Sequence, residues 1–279
     1  MTERLPDFFI VGAPKAGSTS LYHYLDQHPE IYMSAIKEPN YFADEIRAEN
    51  LAEELRAGAD KDLLEQREFL RGDMKEKRFG GMISEWADYL KLFQNARDEK
   101  AVGEASVCYL WSKTAAANIR ARIPGAKIVM VLRDPREIAV SLYVQSVAGG
   151  HIQGTFRETL EACRRNRSEK FSVVYPFLEL GLLYGQVKRF VEAFPREQVL
   201  ILFYEEYRER RGEVFERIFR FLGVDAQFRP DTSRRYHEFR EGAAKAIDPR
   251  DREWLGEYYG EDVRRLAGML GRDLGAWVR

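Results

Sequence analysis

The chain has 279 residues, with 44 Lys and Arg against 45 Asp and Glu, a formal charge of −1 with histidine neutral, and 45% hydrophobic residues. That apolar share is enough for a substantial core, and the length fits one large domain or at most two small ones; it excludes a disordered chain and a collagen-like repeat. The balanced charge gives no support to a nucleic-acid polymer as partner and leaves only a local cluster of positive charge to find an anion.

Two cysteines, Cys108 and Cys163, lie far apart. They make neither a CxxC pair nor a disulfide framework, and two thiols are too few for a Cys-rich metal centre. Phe8-Phe9-Ile10-Val11 is too short for a secretory apolar region, and no run approaches the roughly 20 apolar residues of a spanning helix, so a cytoplasmic setting without a transmembrane segment is expected.

In chain order, Phe8–Val11 reads as a buried strand running into the loop Gly12-Ala13-Pro14-Lys15-Ala16-Gly17, and Leu21, Tyr24 and Leu25 then recur at helical spacing before Pro29. Ile31-Tyr32-Met33 predicts a second strand. A charged stretch with Leu51, Leu55, Leu63 and Leu64 predicts a helical insertion or lid around 45–95. Ala101–Ser106 is expected to be a strand, Trp111–Arg122 a helix ended by Pro124-Gly125, and Lys127–Leu132 a buried strand followed by a helix opening at Pro135. Helices are predicted over 156–163 and 177–194, then a strand over Val199–Tyr204, a helix through 214–222 and a last packing element around 254–270. Apolar strands alternating with helices predict a single-domain α/β fold over 1–279, with a mostly parallel central sheet flanked by helices on both faces.

The loop between the first strand and helix carries the most chemistry. Small residues allow backbone groups to approach a ligand, and a helix amino terminus together with Lys15 suits an anion. A solvated lysine beside a tight turn is the plainer alternative. An ATP-type loop would place its lysine directly after the second glycine, but Ser18 follows Gly17 and Lys15 precedes it. That spacing disfavours a magnesium-dependent nucleotide triphosphatase and ranks an ATP-dependent small-molecule kinase below other group transfers. A second candidate anion contact is Arg133, at the carboxyl end of an apolar strand, with Ser141 in the helix that follows. Arginine offers an anion-matching fork and serine a directed donor. The local alternatives are an ion pair of Arg133 with Asp134 or Glu137 and a hydrogen bond of Ser141 within its helix.

Gly12-Ala13-Pro14-Lys15-Ala16-Gly17-Ser18-Thr19-Ser20 and Val131-Leu132-Arg133-Asp134-Pro135-Arg136-Glu137-Ile138-Ala139-Val140-Ser141 resemble the 5′-phosphosulfate loop and 3′-phosphate region of sulfotransferases that use 3′-phosphoadenosine 5′-phosphosulfate (PAPS). Lys37-Glu38-Pro39, the segment Gly103–Leu110 and Leu270-Gly271-Arg272-Asp273-Leu274 extend the resemblance over nearly the whole chain, closest to the carbohydrate-type and bacterial branches. The resemblance implies a P-loop-like sulfotransferase fold, PAPS as sulfuryl donor, 3′-phosphoadenosine 5′-phosphate (PAP) as product and no metal. It implies that Lys15, Ala16, Gly17, Ser18, Thr19 and Ser20 hold the 5′ end, that Arg133 and Ser141 contact the 3′-phosphate, and that Glu38 deprotonates a hydroxyl while Lys15 stabilises the leaving oxygen. A Lys37–Glu38 surface ion pair is the alternative for Glu38.

Two departures stand out. Ala105 replaces a lysine of a related glycosaminoglycan branch, which leaves Glu104 either to orient the acceptor or to serve as a structural carboxylate. Arg240–Lys245 only loosely matches the family's 3′ loop, so Arg240 and Lys245 are secondary cofactor candidates. Tyr41, Tyr109, His151 and Tyr184 are candidates to line the acceptor space, with ordinary packing as the alternative. The expected activity is O-sulfation of a carbohydrate, lipid or secondary-metabolite hydroxyl. A noncatalytic nucleotide-binding partner protein is the reading from another functional class, and apolar helical faces leave a homo-oligomer open.

Overall fold

In the computed structural model, the described residues are 4–234, 236 and 247–278. Among the described residues seven short strands form: β1 (Phe8–Gly12), β2 (Ile31–Met33), β3 (Ile36–Lys37), β4 (Arg78–Phe79), β5 (Ala101–Ala105), β6 (Lys127–Leu132) and β7 (Val199–Phe203). Five of them make one sheet in the order β2-β5-β1-β6-β7, with every pairing parallel. β3 and β4 form a separate parallel pair. Parallel strands need crossovers that cover both faces, so they carry continuous apolar runs rather than alternating ones. Phe8, Phe9, Ile10 and Val11 are accordingly all fully buried, as are Ile128, Val129 and Met130.

The helices among the described residues are α1 (Ser18–Leu25), α2 (Glu53–Arg71), α3 (Trp86–Lys91), α4 (Cys108–Trp111), α5 (Ala115–Arg122), α6 (Pro135–Ala148), α7 (Phe156–Arg165) and α8 (Leu183–Ala193), which lie between strands, and α9 (Tyr204–Glu209), α10 (Arg211–Leu222) and α11 (Pro249–Leu270), which follow β7. α4 packs on β1, α1 on β2, and α9 and α10 on β7. No helix among the described residues is long and apolar enough to cross a membrane.

Several predicted boundaries shift: the helix expected over 177–194 begins only at Leu183, after a single 3-10 turn over Glu179–Gly181. Two further shifts have identifiable reasons. The expected helix from Trp111 to Arg122 is broken, because the buried Ser112 hydroxyl accepts from the amides of Thr114 and Ala115 and donates to Glu45, which caps α5 and separates it from α4. Tyr204 leaves the expected strand because the ladder ends at Leu132 opposite Phe203; with no partner beyond, the chain turns into α9. The segment around 45–95 contains α2 and α3. α2 is mostly exposed, with Ala59, Gln66 and Leu70 buried, and Gln66 both donates to and accepts from the Met82 backbone.

The sheet order places β1 between β5 and β6, so chain segments leaving the three carboxyl ends diverge around a crevice. In open parallel sheets such a switch point is where ligands bind.

Candidate active site

Three chain segments meet at that crevice: the loop after β1, the turn after β3 and the bend after β6. The first is shaped by glycines. Gly12 has φ +143°, and a Cβ there would stand 2.8 Å from the Leu110 Cβ; Gly17 has φ +84°, and a Cβ would meet the Tyr207 ring at 3.0 Å. Only glycine satisfies both the backbone conformation and the close approach. Gly17 also heads α1 with no side-chain cap. The first-turn amides of Ser18, Thr19 and Ser20 therefore sit at the positive end of the helix without side-chain acceptors from the cap residue. The Ser20 hydroxyl donates to the Tyr236 carbonyl at 3.3 Å.

Lys15 crosses from this loop to α6, where its ammonium donates to Gln145 Oε1 at 2.8 Å. Burial, reinforced by the Arg133 charge, lowers its pKa to about 8, with Glu38 acting in the opposite direction and Lys37 adding to the depression. A lysine so placed gains if a second negative charge arrives. Arg133 is 7% exposed, bonds through its guanidinium to the Lys15 carbonyl, lies 4.4 Å above the Tyr204 ring and stands 3.7 Å from the Glu137 carboxylate. Burial lowers its pKa from the usual arginine value. Asp134 is taken by another partner: it caps α6 through the Arg136 amide at 2.9 Å and pairs with the Arg136 guanidinium at 2.7 Å. Ser141 is buried on α6 one helical turn before Gln145, so the two share a helix face and Ser141 is set on the side that faces Lys15.

The carboxylate comes from the turn after β3. Glu38 pairs with Lys37 at 2.6 Å, as the ion-pair alternative anticipates, but the pair is no ordinary surface bridge: Lys37 is 2% exposed and Glu38 22%. Lys15, Glu38 and Asn40 all adopt left-handed backbone conformations, with φ of 60°, 63° and 59°. Such conformations cost about 1 kcal/mol or more each outside glycine and concentrate where function over-determines the backbone. The Glu38 amide donates to the Ala105 carbonyl at 2.7 Å, tying the turn to the end of β5.

The remaining predicted residues are distributed differently. Glu104 and Tyr109 are completely buried, so neither presents surface to an acceptor in this arrangement; the Tyr109 and Tyr89 hydroxyls donate to Glu104 Oε2 at 2.9 and 2.7 Å. Tyr41 is half-buried and stacks on Tyr89 at 4.8 Å. His151 is exposed just beyond α6, and its amide bonds to the Ser146 carbonyl. Tyr184 is not brought into the group: its amide donates to Asp262 and its ring lies under Arg265, both on α11. Arg240 and Lys245 lie outside the described residues.

Sequence reasoning missed Gln145, Tyr204 and Ser106, and of Lys37 it missed only the burial. Gln145 was recoverable from its i+4 spacing to Ser141. The burial of Lys37 and the role of Tyr204 carried no local signal, because both come from tertiary neighbours. The arrangement offers two cationic side chains, Lys15 beside the amino terminus of α1 and Arg133 at the end of β6, and the Glu38 carboxylate, whose charge acts on Lys15. It can hold a ligand with two anionic groups and accept a proton next to one of them.

The chain matches the sulfotransferase domain over residues 5–241. It is 26% identical to mouse carbohydrate sulfotransferase 15 over 98% of this chain and 54% of that protein, and 24% identical to human bifunctional heparan sulfate N-deacetylase/N-sulfotransferase 3 over 99% of this chain and 31% of that one. It thus spans about half or less of the length of these curated relatives. The crystal structure of a sulfotransferase from Alicyclobacillus acidocaldarius superposes with a TM-score of 0.78 at 32% identity, covering 99% of this chain and 100% of that one. A mouse sulfotransferase complexed with PAP shares the fold at a TM-score of 0.54 and 16% identity, over 94% and 85% of the two chains. The chain belongs to the sulfotransferase family.

Proposed function

We propose that the protein transfers the sulfuryl group of PAPS to a hydroxyl of a carbohydrate, lipid or secondary metabolite, releasing PAP. The observation that carries this reading is the convergence of Lys15 and Arg133, from the ends of β1 and β6, with the Glu38 carboxylate on the neighbouring turn. The donor set fits a nucleotide charged at both ends. Lys15 and the amides of residues 16–20 take the 5′ end, and Arg133 and Ser141 take the 3′-phosphate. Arg240 and Lys245 are carried as further contacts to it.

PAPS supplies the sulfuryl group and a phosphate leaving group. The chain's own work is positional and electrostatic. Glu38 accepts the proton of the acceptor hydroxyl as the new oxygen–sulfur bond forms, and Lys15 stabilises the negative charge that collects on the phosphate oxygen as the old sulfur–oxygen bond breaks. Gln145 holds Lys15 across the crevice before the ligand arrives. The likeness to carbohydrate sulfotransferase 15 supports a carbohydrate acceptor. The proposed enzyme is one sulfotransferase domain over 1–279, with the insertion around 45–95 as a peripheral helical element or lid, working in the cytoplasm without a metal.

Incubation with 35S-labelled PAPS and pooled carbohydrate, lipid and aromatic hydroxyl acceptors tests the reading. Label should move to at least one pool in wild type and fail to move in Lys15→Met. Tight PAP binding with no transfer to any pool would instead favour a noncatalytic nucleotide-binding protein.

A further inference from the structure

Glu104 is the most deeply enclosed carboxyl near the crevice. It is 0% exposed at the end of β5, and its Oε2 receives the hydroxyls of Tyr89 and Tyr109, with Ser106 beside them. Its Oε1 has no hydrogen-bond partner among the described residues. An enclosed acid with three hydroxyl neighbours is costly to place, so its retention calls for a specific role.

That role is legible one bond further out. The Ser106 oxygen accepts the Asn40 amide at 3.1 Å, and the Tyr109 oxygen accepts the Phe42 amide at 3.3 Å. Each hydroxyl owns one proton and two lone pairs. With the Tyr109 proton committed to Glu104, a lone pair of the same oxygen is left for the Phe42 amide in the turn that follows Glu38. Asn40 is held a second time by the Cys108 thiol, which donates to its Oδ1 at 2.9 Å, and a third through its side-chain amide on the Gly81 carbonyl. The same turn contains the left-handed Glu38 and Asn40, a conformation that relaxes unless its surroundings oppose it.

We propose that Glu104 is a positioning residue for Glu38: as acceptor for the Tyr109 proton, it aims that oxygen at the Phe42 amide and so, alongside Ser106 on the Asn40 amide, holds the strained turn that presents Glu38 to the crevice. It acts through Glu38 and touches neither donor nor acceptor. The assignment rests on the proposed role of Glu38 for its kinetic consequence, but its structural consequence stands independently. The groups that face Glu104 are Tyr89 from α3, Tyr109 and the Cys108 thiol from α4, Ser106 from β5's end and the Glu38 carboxylate; burial raises its pKa to about 7, with the Glu38 charge adding to the rise and the hydroxyl bonds opposing it.

The test has two arms. Amide hydrogen exchange at constant pH should show the Asn40 and Phe42 amides of Glu104→Met opening about tenfold faster or more, with the Ser34 amide, bonded to the Gly103 carbonyl, unchanged. In turnover, kcat of Glu104→Met should fall by about tenfold or more while the Kd for PAP stays within about twofold, and Glu104→Met should cost nothing further in a Glu38→Gln background. Glu104→Gln, which keeps one acceptor oxygen, should recover part of both effects. Unchanged exchange at Asn40 and Phe42, or losses that add fully to those of Glu38→Gln, would overturn the assignment. If Glu104→Met does not fold, Ser106→Ala and Tyr109→Phe reach the same amides one at a time, and neither loosening its own amide would be equally contrary. A wild-type protein that transfers no sulfuryl group overturns the proposed function while leaving the exchange result to decide the role of Glu104.

Discussion

Affinity for PAP should depend on pH through Lys15, and the structure sets the size of the effect. Burial and the Arg133 charge lower the Lys15 pKa to about 8 in the free protein. A bound anion at the loop favours the ammonium and returns the pKa toward or above the ordinary lysine value. Only the protonated free protein then binds well, so PAP affinity is nearly flat from pH 7 to 7.5 and declines as pH rises through 8, approaching tenfold per unit beyond it. Between pH 7 and pH 9 the expected loss is about tenfold, or about 1.4 kcal/mol. The secondary phosphate ionisations lie near pH 6 and are complete across this window. Isothermal titration calorimetry in two buffers of different ionisation enthalpy reads both the affinity and the accompanying proton uptake, which should be about half a proton near pH 8. Lys15→Met should bind PAP more weakly at pH 7 and lose the slope. A flat affinity from pH 7 to 9 in wild type, or an undiminished slope in Lys15→Met, would refute the coupling.

The same burial makes Lys15 a cost to the free fold. Its folded pKa lies below its unfolded one, so the penalty is complete below pH 8 and is relieved as pH rises toward 10.5; Lys15→Met should be stabilised by on the order of 1 kcal/mol in denaturant melts at pH 7, with the gain shrinking above pH 8. Glu38→Gln should lower kcat by about 10²- to 10⁴-fold in steady-state assays while PAP binding by calorimetry is retained, since the carboxylate acts on the acceptor proton. Gly103→Ala should destabilise the sheet by roughly 1–3 kcal/mol in thermal melts, because its Cβ would stand 2.1 Å from the Phe8 ring, and Phe8→Leu should recover part of the loss.

The strand, loop and helix around Lys15 were legible because each carries its own local signal: an apolar run, glycines, then apolar residues at helical spacing. The Arg133 bend was readable in the same way, from a buried strand ending at a proline-opened helix. Helix continuity at Trp111–Arg122 was not, since Ser112 stops it only by reaching Glu45, which is remote in sequence. Tyr204 reads as strand by composition and becomes helix because its pairing partner ends at Leu132. At the site, the pairing of Lys37 with Glu38 was visible from adjacency, but not that Lys37 is buried at the end of β3 or that Glu38 opens a left-handed turn braced by Ser106 and Tyr109. Glu104 could be picked out as a carboxylate near the edge of β5; its depth depends on packing by Tyr89 and Tyr109, which no local pattern encodes.

Two cationic points, Lys15 on one loop and Arg133 on another, are the core of the proposed nucleotide site. The most direct test is a calorimetric comparison of PAP with adenosine 5′-monophosphate, which lacks only the 3′-phosphate, on wild type and Arg133→Ala. Wild type should prefer PAP by about 100-fold or more, consistent with charge-assisted contacts of about 1.5–3 kcal/mol each from Arg133 and Ser141, and Arg133→Ala should lose most of that preference. Equal affinity for the two nucleotides in wild type, or a preference that survives Arg133→Ala intact, would contradict the assignment of the 3′-phosphate to Arg133.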